Sequence, residues 1–231
     1  MQLSGISSMA TKALLAQLCA MARERMGYEV AIESVGGVDA TKRVQGGEQF
    51  DVVVLASEAL AKLAAGGHLI ANSTTELVCS DVSMAIAQGK PQVKIQSEED
   101  LKAFVLAQNR LSYSTGPSGV ALAKLFERWG LHEVLAPRIV TPPPGIAVAG
   151  LVAKGEVDLG FQQTSEMLNV PGIAILGSLP QEVAITTTFS AAVGVHSQHV
   201  NDVREILQFW ASPACDAAVH AQGMRSARQS D

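Results

Sequence analysis

Hydrophobic and polar positions along the chain switch repeatedly between two periods. Leu3 to Ile6 is a short apolar stretch that suits a strand. From Ser7 onward Leu14, Leu18 and Met21 recur at three- and four-residue spacing, which predicts a helix that Gly27 stops. Glu29 to Ser34 alternates as a half-buried strand does, Gly36 and Gly37 form a turn, and Val38 to Gln45 begins a helix closed by Gly46-Gly47. Asp51 to Ala56, DVVVLA, is the continuous apolar run of a strand covered on both faces, and Ser57 is placed to cap the helix behind it. Three strands and two helices within 56 residues read as repeated βαβ units. Right-handed crossovers leave helix N-termini along the carboxyl edge of such a sheet, where a binding crevice is expected.

Leu77 to Ala87 predicts a long strand, and Ser97 followed three residues later by Asp100 is a weaker version of a capping box for a helix over Glu98 to Gln108. A second α/β series then begins. Leu111 to Tyr113 is a strand, Ser114 to Gly119 a loop, and Val120 to Trp129 a helix with Leu122, Leu125 and Phe126 inward. Arg138 to Val140 is a strand, Pro142 to Gly145 a stiff loop, Ile146 to Lys154 a helix, and Val157 to Phe161 a strand. Ile173 to Leu176 and Val183 to Val195 are extended, and helices over Asn201 to Trp210 and Pro213 to Ala221 finish the chain. Two α/β series imply two lobes, residues 1–80 with 190–231 and residues 81–189, joined by the strands Leu77 to Ala87 and Thr186 to Val195.

Composition agrees with a parallel sheet covered by helices. Hydrophobic residues make up 48% of the 231, charged residues 17% and aromatics 4%, so Ala, Val, Leu and Ile must fill the interior. A net charge of -5 excludes the basic face that nucleic acid requires. Apolar runs fall short of a membrane span, so no direct insertion is expected. Met1 to Met9 has no basic segment followed by an apolar one, so the expectation is a periplasmic chain if a leader has been removed and a cytoplasmic one otherwise. Cys19, Cys79 and Cys215 share no ligand spacing and read as reduced, buried fillers. His196 and His199 read as a surface loop rather than a metal site. No metal and no cofactor is expected, and the chain is expected to act as a monomer.

The order of GISSMATKALL, KRVQGGEQFDVVVLASEALAKLAAGG, STGPSGVALAKLFERWGL, LVAKGEVDLGFQQTSEM, FSAAVGV and FWASPACDAAVHAQGM resembles the molybdate-binding branch of the type II periplasmic solute-binding proteins over nearly the whole chain. The resemblance implies a two-lobed α/β Venus-flytrap fold with discontinuous lobes and a small anionic ligand between them. The ligand would be held by hydroxyls and backbone N–H groups at helix starts. It also implies an ABC-type permease as partner. On this family pattern Ser7 and Ser8 form the first site, though either also serves as an N-cap. The second site, where the family carries serines, here reads Gly36, Gly37, Val38 and Asp39; Gly37 and Val38 keep only backbone donors. Arg43, one turn further, offers a planar fork for a carboxylate or simply faces solvent.

Ser114, Thr115, Ser118 and Gly119 precede a helix and form the third group, and Gly145 supplies backbone donors or a rigid turn. Gln162 and Gln163 follow a strand at its carboxyl end, Gln163 standing about where the family has an aromatic hydroxyl. Three functions fit: a binding protein closing over a molybdate-like oxyanion or small carboxylate, an isomerase of a small unsaturated di- or tricarboxylate, and a cytoplasmic ligand-sensing module. The isomerase needs a base, for which Glu166, Asp39 and Lys42 are the candidates, although Glu166 also suits a first-turn helix carboxylate.

Overall fold

The structure is a computed structural model that describes residues 2–142 and 146–229. The elements in chain order are β1 (Gln2–Ser8), α1 (Lys12–Met26), β2 (Glu29–Val35), α2 (Gly37–Gln45), β3 (Val52–Ala56), α3 (Ser57–Ala65) and β4 (Thr75–Ala87). Next come α4 (Glu98–Leu106), β5 (Leu111–Tyr113), α5 (Pro117–Arg128), α6 (His132–Leu135), α7 (Val148–Ala153), β6 (Leu159–Gln163), α8 (Thr164–Met167) and β7 (Ile173–Ser178). β8 (Thr186–Val193), α9 (Val200–Trp210), α10 (Asp216–Ala221) and β9 (Met224–Ser226) complete the chain. They form two compact units. Unit 1 holds Met1–Ser80 with Thr187–Asp231, and unit 2 holds Asp81–Thr186. The chain therefore passes from one to the other twice, within β4 and at the first residue of β8.

In unit 1, β1 pairs in parallel with both β2 and β3, and β3 pairs antiparallel with β8. The apolar run of β3 is covered on both sides. Val52, Val54 and Ala56 enter one cluster with Leu14, Leu18, Val203, Leu207 and Trp210, whereas Val53 and Leu55 enter another with Ile6, Leu60 and Leu63. Strand alternation alone produces this division. The parallel pairing brings the carboxyl ends of β1, β2 and β3 to one edge, so that α2 starts two residues after β2 ends and α3 starts immediately after β3. The helix after β1 is delayed by a 3-10 turn over Met9–Thr11.

In unit 2, β4 lies between β7 and β6, both antiparallel to it, and β5 pairs with β6 in parallel. Val82, Met84 and Ile86 face the cluster containing Phe126 and Phe161, while Ala85 faces the other way, toward Ala149 and Met167. Parallel pairing of Tyr113 with Phe161 puts the loop after β5 beside Gln162 and Gln163 at the carboxyl edge. The helix at Ser97 carries a complete capping box, with Asp100 N–H to Ser97 Oγ and the Asp100 carboxylate returning to the Ser97 N–H.

Several sequence expectations change. The helix expected from Ser7 begins at Lys12, with Ser7 and Ser8 in β1, and the extended run expected from Val183 begins at Thr186. Ser57 does not cap α3; it is the first helical residue, and its hydroxyl is engaged by Ser190 Oγ at 2.6 Å and the Thr188 carbonyl at 3.1 Å. Arg138 to Val140 is not a strand but a 3-10 turn over Ala136–Arg138 followed by a single bridge from Ile139 to Leu111. Gln162 and Gln163 do not follow β6 but end it, because β4 pairs with them at Ser83 and Val82.

Gly194, just beyond β8, has no room for a side chain: a Cβ there would stand 1.9 Å from the Phe50 carbonyl oxygen. Because that neighbour is backbone, Gly194→Ala is expected to lower unfolding stability by about 2–3 kcal/mol, read in a denaturant titration. Gly116→Ala, at a position with nothing within 4 Å, serves as the control and should change stability far less.

Candidate anion site

In unit 1 the chain leaves β1 through Ser7 and Ser8. Alternation sends the two hydroxyls to different surroundings. Ser7, fully buried, shares a hydrogen bond with Ser34 Oγ at 2.8 Å and also donates to the Ser8 carbonyl at 3.3 Å, joining β1 to β2. Its hydroxyl therefore serves the sheet, a role the sequence did not point to. Ser8 is the opposite case. It is 7% exposed, occupies the N-cap of the turn that leads into α1, makes no capping bond, and its Oγ has no partner among the described residues. A buried hydroxyl left unsatisfied costs about 1–3 kcal/mol, so a donor held this way is a place for a ligand oxygen. Ser80 Oγ shares the condition, but inside β4 rather than at a helix start.

Gly37, the first residue of α2, faces Ser8: a Cβ added to Gly37 would lie 3.6 Å from Ser8 Cβ. The α2 start has no side-chain cap, which leaves its first N–H groups to solvent or ligand. Val38, the next residue, is 46% exposed, and Met9 beside Ser8 is 41% exposed. Ser8, Gly37 and Val38 are therefore brought together. Arg43 is not available to them. Its Nη1 and Nη2 donate to the two Glu33 oxygens at 2.7 and 2.8 Å, and its Nε and Nη2 donate to Glu48 at 2.6 and 2.5 Å. The guanidinium also stacks over Phe50. Those two carboxylates hold the guanidinium charged and occupy both of its bidentate edges, leaving one Nη1 hydrogen. The planar fork that the sequence offered to a ligand carboxylate is taken by the carboxylates of Glu33 and Glu48.

In unit 2 the loop after β5 folds back on the start of α5. Ser114 and Ser118 hydroxyls are 2.9 Å apart, and Gly119 lies so close beneath them that a Cβ would stand 1.5 Å from the Ser114 carbonyl oxygen. Ser118 is buried and Thr115 exposed. Pro117 at the first turn fixes the helix entry without losing a bonded N–H. Ser114, Thr115, Ser118 and Gly119 are thus grouped at one helix start, with Thr115 outermost. Gly145 lies outside the described residues.

Gln162 and Gln163 are both 4% exposed, on opposite faces of β6. Gln162 Oε1 accepts the Ala149 N–H at 3.1 Å, so the side chain caps the first turn of α7 from the neighbouring strand, and its Nε2 donates to Glu166 Oε1 at 3.0 Å. That accounts for its amide, and makes Gln162 a scaffold for Glu166 more than an open donor. Burial pushes the Glu166 carboxyl up from about 4.5 to about 7, opposed by the Gln162 bond. Nothing in the sequence points to the Ala149 contact. Among the described residues no cluster of His, Cys, Asp and Glu could hold a metal ion, and no helix is long and apolar enough to cross a membrane.

These donors without a facing cation suit a small anion. Residues 3–225 match the family described as bacterial extracellular solute-binding protein. The chain belongs to that family. An aconitate isomerase of a Pseudomonas species is 35% identical over 186 residues, which cover 79% of this chain and 70% of the relative. The fold is that of the type II periplasmic binding proteins. The periplasmic molybdate-binding protein of Azotobacter vinelandii superposes with a TM-score of 0.81 at 18% identity, covering 96% of this chain and 98% of that one. The sulfate-binding protein SubI of Mycobacterium tuberculosis superposes with a TM-score of 0.77 at 14% identity, covering 99% and 88%. This α/β solute-binding chain therefore shares its architecture with oxyanion receptors and its sequence with a carboxylate enzyme.

The two serines separate by experiment. Ser8→Ala removes an unpaired buried hydroxyl and should leave the unfolding midpoint unchanged or raise it. Ser7→Ala strands Ser34 and should lower stability by about 1 kcal/mol, measured by thermal or denaturant unfolding at pH 7.

Proposed function

We propose that the chain is a receptor for a small organic carboxylate, which it delivers as a monomer to an ABC-type transporter from the periplasm. The observation that carries the reading is Ser8, whose buried hydroxyl has no partner among the described residues and faces the uncapped start of α2. Each helix start adds N–H donors and a partial positive charge of about half a unit, so an oxyanion is held without a full counter-charge. The loop at Ser114 and Ser118 supplies further donors for the same class of ligand.

A carboxylate is favoured over a tetrahedral metal oxyanion by what surrounds Ser8. A tetrahedral anion presents oxygen in every direction and calls for donors all round. Here the second turn has two glycines and no hydroxyl, and Val38 and Met9 offer exposed hydrocarbon beside the donors. A ligand with a charged end and a carbon arm matches that pairing, and the 35% identity with an aconitate isomerase points to the same chemical class.

Glu166 favours a second reading, an isomerase of an unsaturated carboxylate. A carboxyl whose pKa lies near 7 can both take a proton from an allylic carbon and return it to another. Under that reading Glu166 is the base; Asp39 and Lys42 have no comparable support.

Thermal unfolding with trans-aconitate, malate, sulfate and molybdate tests the proposal. A carboxylate at 100 times its Kd should stabilise the fold by about 2.7 kcal/mol. Ser8→Ala should weaken that ligand by about tenfold, the loss of one hydrogen bond to a charged group. Stabilisation by molybdate or sulfate alone overturns the carboxylate assignment, and no response to any anion overturns the receptor. Incubating the stabilising carboxylate with the protein in deuterated water should leave its carbon-bound hydrogens unexchanged; exchange would replace the carrier with the isomerase.

A further inference from the structure

Gln162 is an unusual residue to find 4% exposed at the end of a strand, and both ends of its amide are fixed. Oε1 faces an N–H, that of Ala149, so it must be the oxygen, and Nε2 is then obliged to face Glu166 as a donor. The consequence falls on Glu166. Its Oε1 takes the Gln162 hydrogen, so a proton on this carboxyl has to sit on Oε2, which has no hydrogen-bond partner among the described residues. Glu166 is half-buried, and Oε2 is not wholly sealed from solvent.

The neighbours of Glu166 leave its charge without an opposite. Of the elements packed about α8, β6, α7 and β7 carry no charged or titratable side chain at all. The part of β4 in unit 2 contributes Asp81, a like charge, whose carboxylate accepts the Thr186 hydroxyl. Tyr113 and Phe161 are paired, so the backbone leaving β5 toward Ser114 starts about 4.8 Å from the strand that carries Gln162, whose side chain lies on the α7 face of β6. An anion held by that loop would bring a second negative charge toward Glu166.

We propose that Glu166, oriented by Gln162, is a proton-carrying contact of the anion site in unit 2, so that the anion is taken up together with one proton. The balance is simple: the ionised carboxylate takes H⁺ from solvent, an O–H bond forms at Oε2, and that hydrogen is donated to a ligand oxygen. No other bond is made or broken. Glu166 is then a selectivity device, since it rewards a ligand oxygen that accepts and refuses a ligand that must donate. The proposal rests on the reading of the chain as an anion receptor.

The test uses trans-aconitate and sulfate, which do not themselves titrate between about pH 6.5 and 9. With one proton taken up, affinity should fall by up to about tenfold per pH unit above about pH 7, and calorimetry in buffers of different ionisation enthalpy should read up to one proton absorbed per anion bound. Glu166→Gln, a neutral isostere, should bind with little pH dependence and more tightly than the parent near pH 9. Gln162→Leu removes the bond that favours the ionised form, so its pH-dependent window should move upward. The parent without ligand gives an independent reading. Because the folded carboxyl titrates higher than the usual value near 4.5, stability should fall as pH rises toward about 7 and level off beyond it. Glu166→Gln should lack that fall. Binding that is equally tight across the range with no proton absorbed overturns the proton-carrying role while the receptor reading stands. No binding of either probe overturns both.

Discussion

An α-helix cannot satisfy its own first N–H groups, and the candidate site depends on what is done about that. At α4 the chain answers completely, with Ser97 and Asp100 exchanging hydrogen bonds with the backbone. The turn leading into α1 and the starts of α2 and α5 have no side-chain cap. α9 also starts without one, so a missing cap is not in itself a sign of a ligand. What distinguishes the α1 turn is that the capping hydroxyl is present, buried and unengaged, with a glycine-started helix facing it. α7 shows the reverse solution, where Gln162 from the adjacent strand takes the donor.

This constraint explains why the sheets are arranged as they are. Parallel pairing of β1 with β2 and β3 brings three helix starts to one edge of unit 1, and parallel β5 and β6 bring the starts of α5 and α8 to one edge of unit 2. The price of such strands is burial on both faces, which is met by the uninterrupted VVVLA of β3 and by clusters of Leu, Val and Ala on each side. Close approach then requires glycine. Gly119 lets the Ser114 carbonyl pass where a Cβ would collide, so the Ser114–Ser118 pair exists because position 119 has no side chain.

The sequence was readable where causes are local. Periodicity located β1 to β3 and the helices between them, Gly27 ends α1 in the left-handed conformation at φ 76°, and the capping box at Ser97 is fully formed. It was unreadable where the cause lies far along the chain. Ser57 loses its capping role to Ser190, 133 residues away. Ser7 is spent on Ser34, 27 residues away, because β1 and β2 lie side by side. Arg43 is spent on nearer partners, Glu33 and Glu48, ten and five residues away, which hydrophobic periodicity does not pair with it. The apolar run ends at Phe161, so the strand read from the sequence stops before Gln162 and Gln163; pairing with β4 extends it through them. Hydroxyls and amides at strand ends can each serve fold or ligand, and only the partner decides.

That division between spent and unspent polar groups bears on selectivity. Once Ser7, Ser57, Arg43 and the Gln162 amide are committed to the fold, unit 1 retains Ser8 and bare backbone at Gly37, while unit 2 retains the Ser114–Ser118 pair and Glu166. The donors retained in each unit are neutral, and Glu166 of unit 2 is acidic. Within unit 2 an anion at the Ser114–Ser118 loop would gain from partial charges and be opposed by a full negative charge wherever Glu166 is ionised. Protonation of that carboxyl turns its opposition into a donor. The chemistry left over after folding thus pairs a dispersed positive potential with a single titratable acid, and Gln162 connects the helix end to that acid through one fixed amide.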